Sequence, residues 1–203
     1  SCHDPHGSEY EHIILKPSMD LCLSCHDETL ESGETRIANI GKLLEEYPQH
    51  HGPIKERDCS ACHSEVHGGT HHRLLGGEYP PEFYAPYEEG RYAFCFECHE
   101  ADLVKVNETD KLTHFRNGQV NLHFLHVNRD KKGRTCRACH ETHASRQPFH
   151  ISESVPFGKR DWRIPINFEK TETGGSCLPG CHKQYGYDRV TPVVNLEPIP
   201  EEE

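Results

Sequence analysis

The sequence predicts a mostly irregular fold with short α-helices and little or no sheet. Three observations carry that expectation. Hydrophobic residues make up 33% of the 203 residues and mean hydropathy is -0.81, so the chain is short of apolar surface to bury. It holds 14 Pro and 16 Gly, which interrupt regular elements. It also holds 11 Cys and 18 His, with the cysteines gathered in short repeated motifs.

The elements follow in order. Pro17–Asp27 is a candidate helix. So is Ile37–Tyr47, with apolar side chains at Ile37, Ile40, Leu43 and Leu44. Gly76–Tyr92 sets Pro80, Pro81 and Pro86 among Tyr79, Phe83, Tyr84, Tyr87 and Tyr92, and reads as an irregular, ring-bearing loop. Gln119–Val127 alternates Val120, Leu122, Phe124 and Val127, the pattern of a short strand. Phe149–Gly175 is long and Pro-interrupted and contains Trp162, the only Trp. Thr191–Glu203, with three Pro and a run of Glu, reads as extended.

Composition also excludes. No apolar run approaches the ~18 residues of a membrane span. The net charge of -11 argues against a nucleic-acid partner, which calls for a basic face. No secretory signal opens the sequence, and any such segment is expected to have been removed or to lie outside the residues given.

The cysteines carry the chemistry. Ten of the eleven form five pairs, and His follows every pair: Cys22-Leu-Ser-Cys25-His26, Cys59-Ser-Ala-Cys62-His63, Cys95-Phe-Glu-Cys98-His99, Cys136-Arg-Ala-Cys139-His140 and Cys177-Leu-Pro-Gly-Cys181-His182. The last has one extra residue between its cysteines. Cys2-His3 reads as the second half of a sixth motif. C-x-x-C-H is the attachment signature of c-type haem. Two thiols reach the two vinyl groups of one porphyrin, and the adjacent His falls under the iron as proximal ligand. A disulfide framework needs no His after each pair and leaves one Cys over. Zinc sites use two pairs per metal, and five pairs leave one over. A thioredoxin-like motif occurs once per domain. The motifs therefore predict about six covalently attached haems, which would form the core that the chain itself lacks.

The proximal ligands are His3, His26, His63, His99, His140 and His182. Twelve other histidines remain for the second axial position, and Met19 is the only Met, so bis-His ligation is the expectation throughout. An internal repeat narrows the choice. Cys2-His3-Asp-Pro-His6, Cys62-His63-Ser-Glu-Val-His67 and Cys139-His140-Glu-Thr-His143 begin alike. A further His follows in each, at His12, His72 and His150, before a second motif ends at His26, His99 or His182. Three two-haem repeats result, at about 1–48, 49–110 and 111–188, with an acidic, Pro-rich tail over 189–203.

On "SCHDPHGSEYEHIILKPSMDLCLSCH" and "HGPIKERDCSACHSEVHGG", the sequence resembles the doubled C-x-x-C-H family of multihaem cytochromes. The resemblance implies distal ligands shortly after the first motif of a pair, at His6, His67 and His143. It also implies distal ligands shortly before it, at His51 and His126. His12, His72, His123 and His150 are the reserves, and no leading His precedes the first repeat.

Six haems on 203 residues leave too little chain to insulate one from another, so the expected function is electron transfer along a closely packed array. Attachment of haem c after export implies a periplasmic or extracellular protein. Three deployments compete: a soluble shuttle, the haem subunit of a larger redox complex, and an extracellular conduit or filament of stacked subunits. The absent leading His favours the third, because a neighbouring copy could supply that ligand. Partners are then other redox proteins or copies of the chain. The rival class is a multihaem reductase of nitrogen or sulfur oxyanions. Such an enzyme needs one open or Lys-ligated iron, and no C-x-x-C-Lys occurs.

Overall fold

Short hairpins close many of the loops between motifs. In a computed structural model that describes residues 1–33, 35–158 and 162–195, the described residues form eleven short strands in five antiparallel sheets. This corrects the expectation of little or no sheet. The physical reason lies in the backbone: every buried N–H and C=O needs a partner, and where the chain is not helical, a turn that folds it back lets its two flanks supply them. Leu30–Ser32 pairs with Thr35–Ile37, Arg116–Asn117 with Val120–Asn121, and Ser154–Pro156 with Arg163–Pro165. Phe168–Lys170, Gly174–Cys177 and Tyr185–Asp188 form a three-stranded sheet with Gly174–Cys177 in the middle. At Asn117-Gly118 the turn requires its glycine, whose φ is +60° and whose missing Cβ would lie 2.7 Å from Pro192.

Helices Ser18–His26 and Ile40–Glu46 fall within the two candidate segments. Asn39 caps the second, its side-chain oxygen accepting from the Lys42 N–H at 2.7 Å. The alternating segment from Gln119 divides: Val120–Asn121 is a strand, but Leu122–Val127 is a helix. Asn121 makes the switch. Its side-chain oxygen accepts from the N–H groups of His123 (3.0 Å) and Phe124 (3.4 Å). No helix of the described residues is long and apolar enough to cross a membrane.

The chain divides into two compact units. The first comprises Ser1–Tyr79 with Glu141–Ile151. Its sheet of Gln49–His50 against Ala144–Ser145 holds the later segment in place, and the His51 N–H donates to the His143 carbonyl at 3.1 Å. Few of its side chains are buried, among them Met19, Tyr79 and Ala144. The second unit comprises Pro80–His140 with Ser152–Glu203. It buries Tyr92, Val104, Val127, Ala138, Val155, Ile164, Ile166 and Tyr187. The end of the described chain lies along this unit: Asn117 exchanges two hydrogen bonds with Val193, and Asn195 two with Gly186. The remainder of the Pro-rich tail, residues 196–203, lies outside the described residues.

Asn121 is fully buried and its amide nitrogen also donates to the carbonyls of Leu103 (3.0 Å) and Val106 (2.9 Å). Replacing it with Ala removes a cap and strands two buried carbonyls. Asn121→Ala should destabilise the protein by about 2–4 kcal/mol in denaturant unfolding, and Asn121→Asp, which keeps the capping oxygen but sets a second acceptor against the Leu103 and Val106 carbonyls, should not recover the loss.

Candidate haem centres

A helical turn sets residues i, i+3 and i+4 on one face, which is the spacing of Cys, Cys and His in C-x-x-C-H. Four motifs adopt that turn. Cys22, Cys25 and His26 end the helix Ser18–His26. In three others the His N–H donates to the carbonyl of the first Cys at 3.0 Å: His63 to Cys59, His99 to Cys95 and His140 to Cys136. The fifth intact motif departs. Cys177 ends a strand and the His182 N–H reaches Pro179 instead, so the extra residue replaces the helical turn with a strand and a bend. None of the eleven cysteines is in a disulfide.

Motifs lie beside one another within each unit. In the first, the Cys22 and Cys59 thiols are hydrogen-bonded, which lowers Cys22 to about 7 and raises Cys59. In the second, burial pushes Cys139 up to about 11, and Cys177, Cys136 and Cys181 are near enough to add to the effect.

All three repeats share one backbone frame. A short turn follows each leading motif, at Glu11–Ile13, His72–Leu74 and Pro148–His150. In each, two consecutive residues are left-handed: His12 and Ile13, Arg73 and Leu74, Phe149 and His150, with φ between 49° and 59°. The N–H groups of Asp4, Glu65 and Glu141 donate back to Ile13 (2.8 Å), Leu74 (3.3 Å) and His150 (2.8 Å). The turn orients the proximal imidazole. Nδ1–H of His3 donates to the His12 carbonyl at 2.8 Å, and Nδ1–H of His63 to the Arg73 carbonyl at 2.9 Å. A carbonyl only accepts, so Nδ1 carries the proton and Nε2 of each neutral ring keeps its lone pair for a metal.

Those rings face second imidazoles. His3 and His67 have ring centres 5.8 Å apart with planes 24° from parallel. His63 and His143 are 6.2 Å apart at 5°, and His123 and His140 6.3 Å apart at 15°. Two imidazoles bound trans to one metal, through bonds of about 2.0–2.1 Å, have ring centres about 6 Å apart. The trailing His67 and His143 thus face the proximal His of the preceding repeat, and the reserve His123 faces His140. Burial, with His143 and His26 nearby, lowers the pKa of His63. Burial likewise brings His123 and His126 down to about 4, with His140 acting on the first and His182 among the charges acting on the second. Both are neutral at pH 7, the form that binds metal. Nδ1–H of His126 donates to Leu122 at 2.7 Å, which again leaves Nε2 available.

The remaining candidates are dispersed. The His51 ring meets His150 edge to face at 5.5 Å. His12, His72 and His150 occupy three different positions of the turn, middle, first and last, and so are not equivalents. His6 is exposed. His50 hydrogen-bonds the Leu44 carbonyl at 2.9 Å and His71 pairs with Glu65 at 2.8 Å, both in place of solvent. The orienting carbonyls of His12 and Arg73 were not legible beforehand, since only the register of the three turns reveals them.

These residues fit c-type haem. The imidazole pairs stand at the spacing an axially ligated iron requires. The fit predicts one covalent haem per motif. Intact-mass measurement of a Cys59→Ser, Cys62→Ser double variant should show the loss of one haem and retention of the rest.

No curated protein and no solved structure matches the chain. Residues 1–31 and 51–103 match the family model described as the doubled CXXCH motif. Those segments are thus similar to the doubled CXXCH motif, which is consistent with the multihaem c-type cytochromes, and residues 141–150 share their backbone frame.

Proposed function

We propose that the chain conducts electrons through about six c-type haems, each iron held between two imidazoles. The observation that carries this reading is the ~6 Å spacing of facing rings at His3 and His67, His63 and His143, and His140 and His123. Haem c, when bound, supplies a one-electron Fe(III)/Fe(II) couple. The chain does the rest. Its five cysteine pairs would tether five of the porphyrins and Cys2 would hold another, and in four motifs a helical turn sets the proximal His on the face of its cysteines. The carbonyls of His12 and Arg73 fix which nitrogen is offered. An iron held between two imidazoles would have both axial positions filled, which suits electron transfer at the three motifs where such pairs stand. The hydrogen bond between the Cys22 and Cys59 thiols supports close neighbours within the first unit.

Covalent haem attachment supports an exported protein, periplasmic or extracellular. Its partners are other redox proteins or further copies of itself. The deployment favoured here is a conduit in which the haem series continues from one subunit into the next.

The spectrum of the oxidised protein tests this reading. Uniformly low-spin iron is expected, and a high-spin component in the intact protein would support a reductase instead. His143→Ala should turn one iron high-spin and leave the others unchanged. His143→Met should keep that iron low-spin and raise its potential, read by spectroelectrochemical titration. Chain made without haem should be unfolded by circular dichroism, because so few side chains of the first unit are buried. A stably folded haem-free chain would contradict the haem-cored reading.

A further inference from the structure

We infer that Thr113 is a positioning residue for the iron centre at His140, its hydroxyl accepting the Nδ1 proton of His123 and so leaving Nε2 of that ring to the metal. The inference rests on the bis-imidazole reading above. Thr113 Oγ1 lies 3.2 Å from His123 Nδ1, and the His123 ring faces His140 at 6.3 Å with planes 15° from parallel. Three other rings set Nδ1 against a backbone carbonyl: His3 against His12, His63 against Arg73 and His126 against Leu122. At His123 a side chain does that work. A carbonyl only accepts, whereas a hydroxyl accepts or donates. With a metal on Nε2, the ring carries its proton on Nδ1 and the Thr113 oxygen accepts it.

The local structure holds that oxygen in place. Thr113 is buried, and the Phe115 N–H donates to the same Oγ1 at 3.0 Å. The Phe115 carbonyl accepts from the Leu122 N–H at 3.1 Å, which ties the segment to the first residue of the helix that carries His123. The Phe115 ring meets His123 edge to face at 5.2 Å and stacks on His126 at 5.6 Å, and Tyr187 packs against it in turn at 5.0 Å. His123 is thus gripped at its Nδ1 by Thr113 and against its ring by Phe115, while Asn121 caps its backbone N–H. Accepting the Nδ1 proton makes the imidazole a more basic ligand, which favours Fe(III) and lowers the potential of the iron it serves.

The test compares Thr113→Val, Thr113→Ser and His123→Ala in the haem-loaded protein, by reduction potentials and by the electron paramagnetic resonance of the oxidised irons. His123→Ala should turn one iron high-spin. Thr113→Val, which keeps the shape and removes the acceptor, should leave every iron low-spin, raise one potential and move one low-spin signal. Thr113→Ser, which keeps the hydroxyl, should leave both at their wild-type values. A spin change in His123→Ala with unchanged potentials and signals in Thr113→Val would overturn this inference and leave the bis-imidazole reading standing. No change in His123→Ala would overturn that reading at the His140 motif, and the inference with it. Equal shifts in Thr113→Ser and Thr113→Val would make packing the cause in place of the hydroxyl, and would also overturn the inference. Should Thr113→Val fail to accumulate, Thr113→Asn, whose amide oxygen is a stronger acceptor, should keep every iron low-spin and lower one potential. An unchanged set of potentials there would overturn the inference.

Discussion

An iron that takes an imidazole on each side fixes two histidines on one axis with their ring centres about 6 Å apart, and much of this chain's arrangement serves that requirement. The first unit buries few side chains, so in the reading proposed here crosslinks through iron would do what an apolar core does elsewhere. His3 meets His67 and His63 meets His143 across long stretches of sequence. The backbone supports the second meeting. The sheet of Gln49–His50 with Ala144–Ser145 anchors residues 141–151, and the Arg146 guanidinium lies 4.5 Å from the centre of the Tyr47 ring and 3.5 Å from Glu46.

The left-handed pairs show what that requirement costs. A non-glycine residue in this region costs about 1–2 kcal/mol, and Ile13, being β-branched, is a poor occupant of it. Each repeat nonetheless spends two residues there. The return is a backbone reversal that puts the carbonyl of the middle residue against Nδ1 of the proximal His in the first two repeats. Fixing the tautomer of a ligand raises its basicity and holds its plane, and this justifies local strain.

How much of this the sequence made legible varied with the range of the interaction. The motifs, the proximal histidines and two helices were readable because their determinants lie within about one helical turn of each other. The strands were not. Asn117-Gly118 is a recognised hairpin signal, but the alternation that followed it suggested a longer strand, and only the cap at Asn121 shows why the chain turns helical at Leu122. The candidate histidines after each leading motif could be named from the repeat. Which motif each one serves could not, since that depends on how one repeat lies against the next. His12, His72 and His150 looked equivalent by proximity to apolar residues. The turn shows them one position out of step, partly because Ser64 adds a residue between His63 and Glu65 that the other repeats lack.

The facing imidazoles of the two units come from different places in the sequence. In the first, His3 and His63 each face a His of the following repeat. In the second, the helix Leu122–Val127 carries His123 and His126 one turn apart, His123 facing His140 and His126 within electrostatic reach of His182. Asn121 caps that helix and ties it to the carbonyls of Leu103 and Val106, so one buried amide positions two candidate ligands at once. In the reading proposed here, the motif at His140 would thereby draw its second imidazole from within its own repeat, whereas those at His3 and His63 would draw theirs from the repeat that follows, so the same ring spacing is reached once by a local helix and twice by long-range packing.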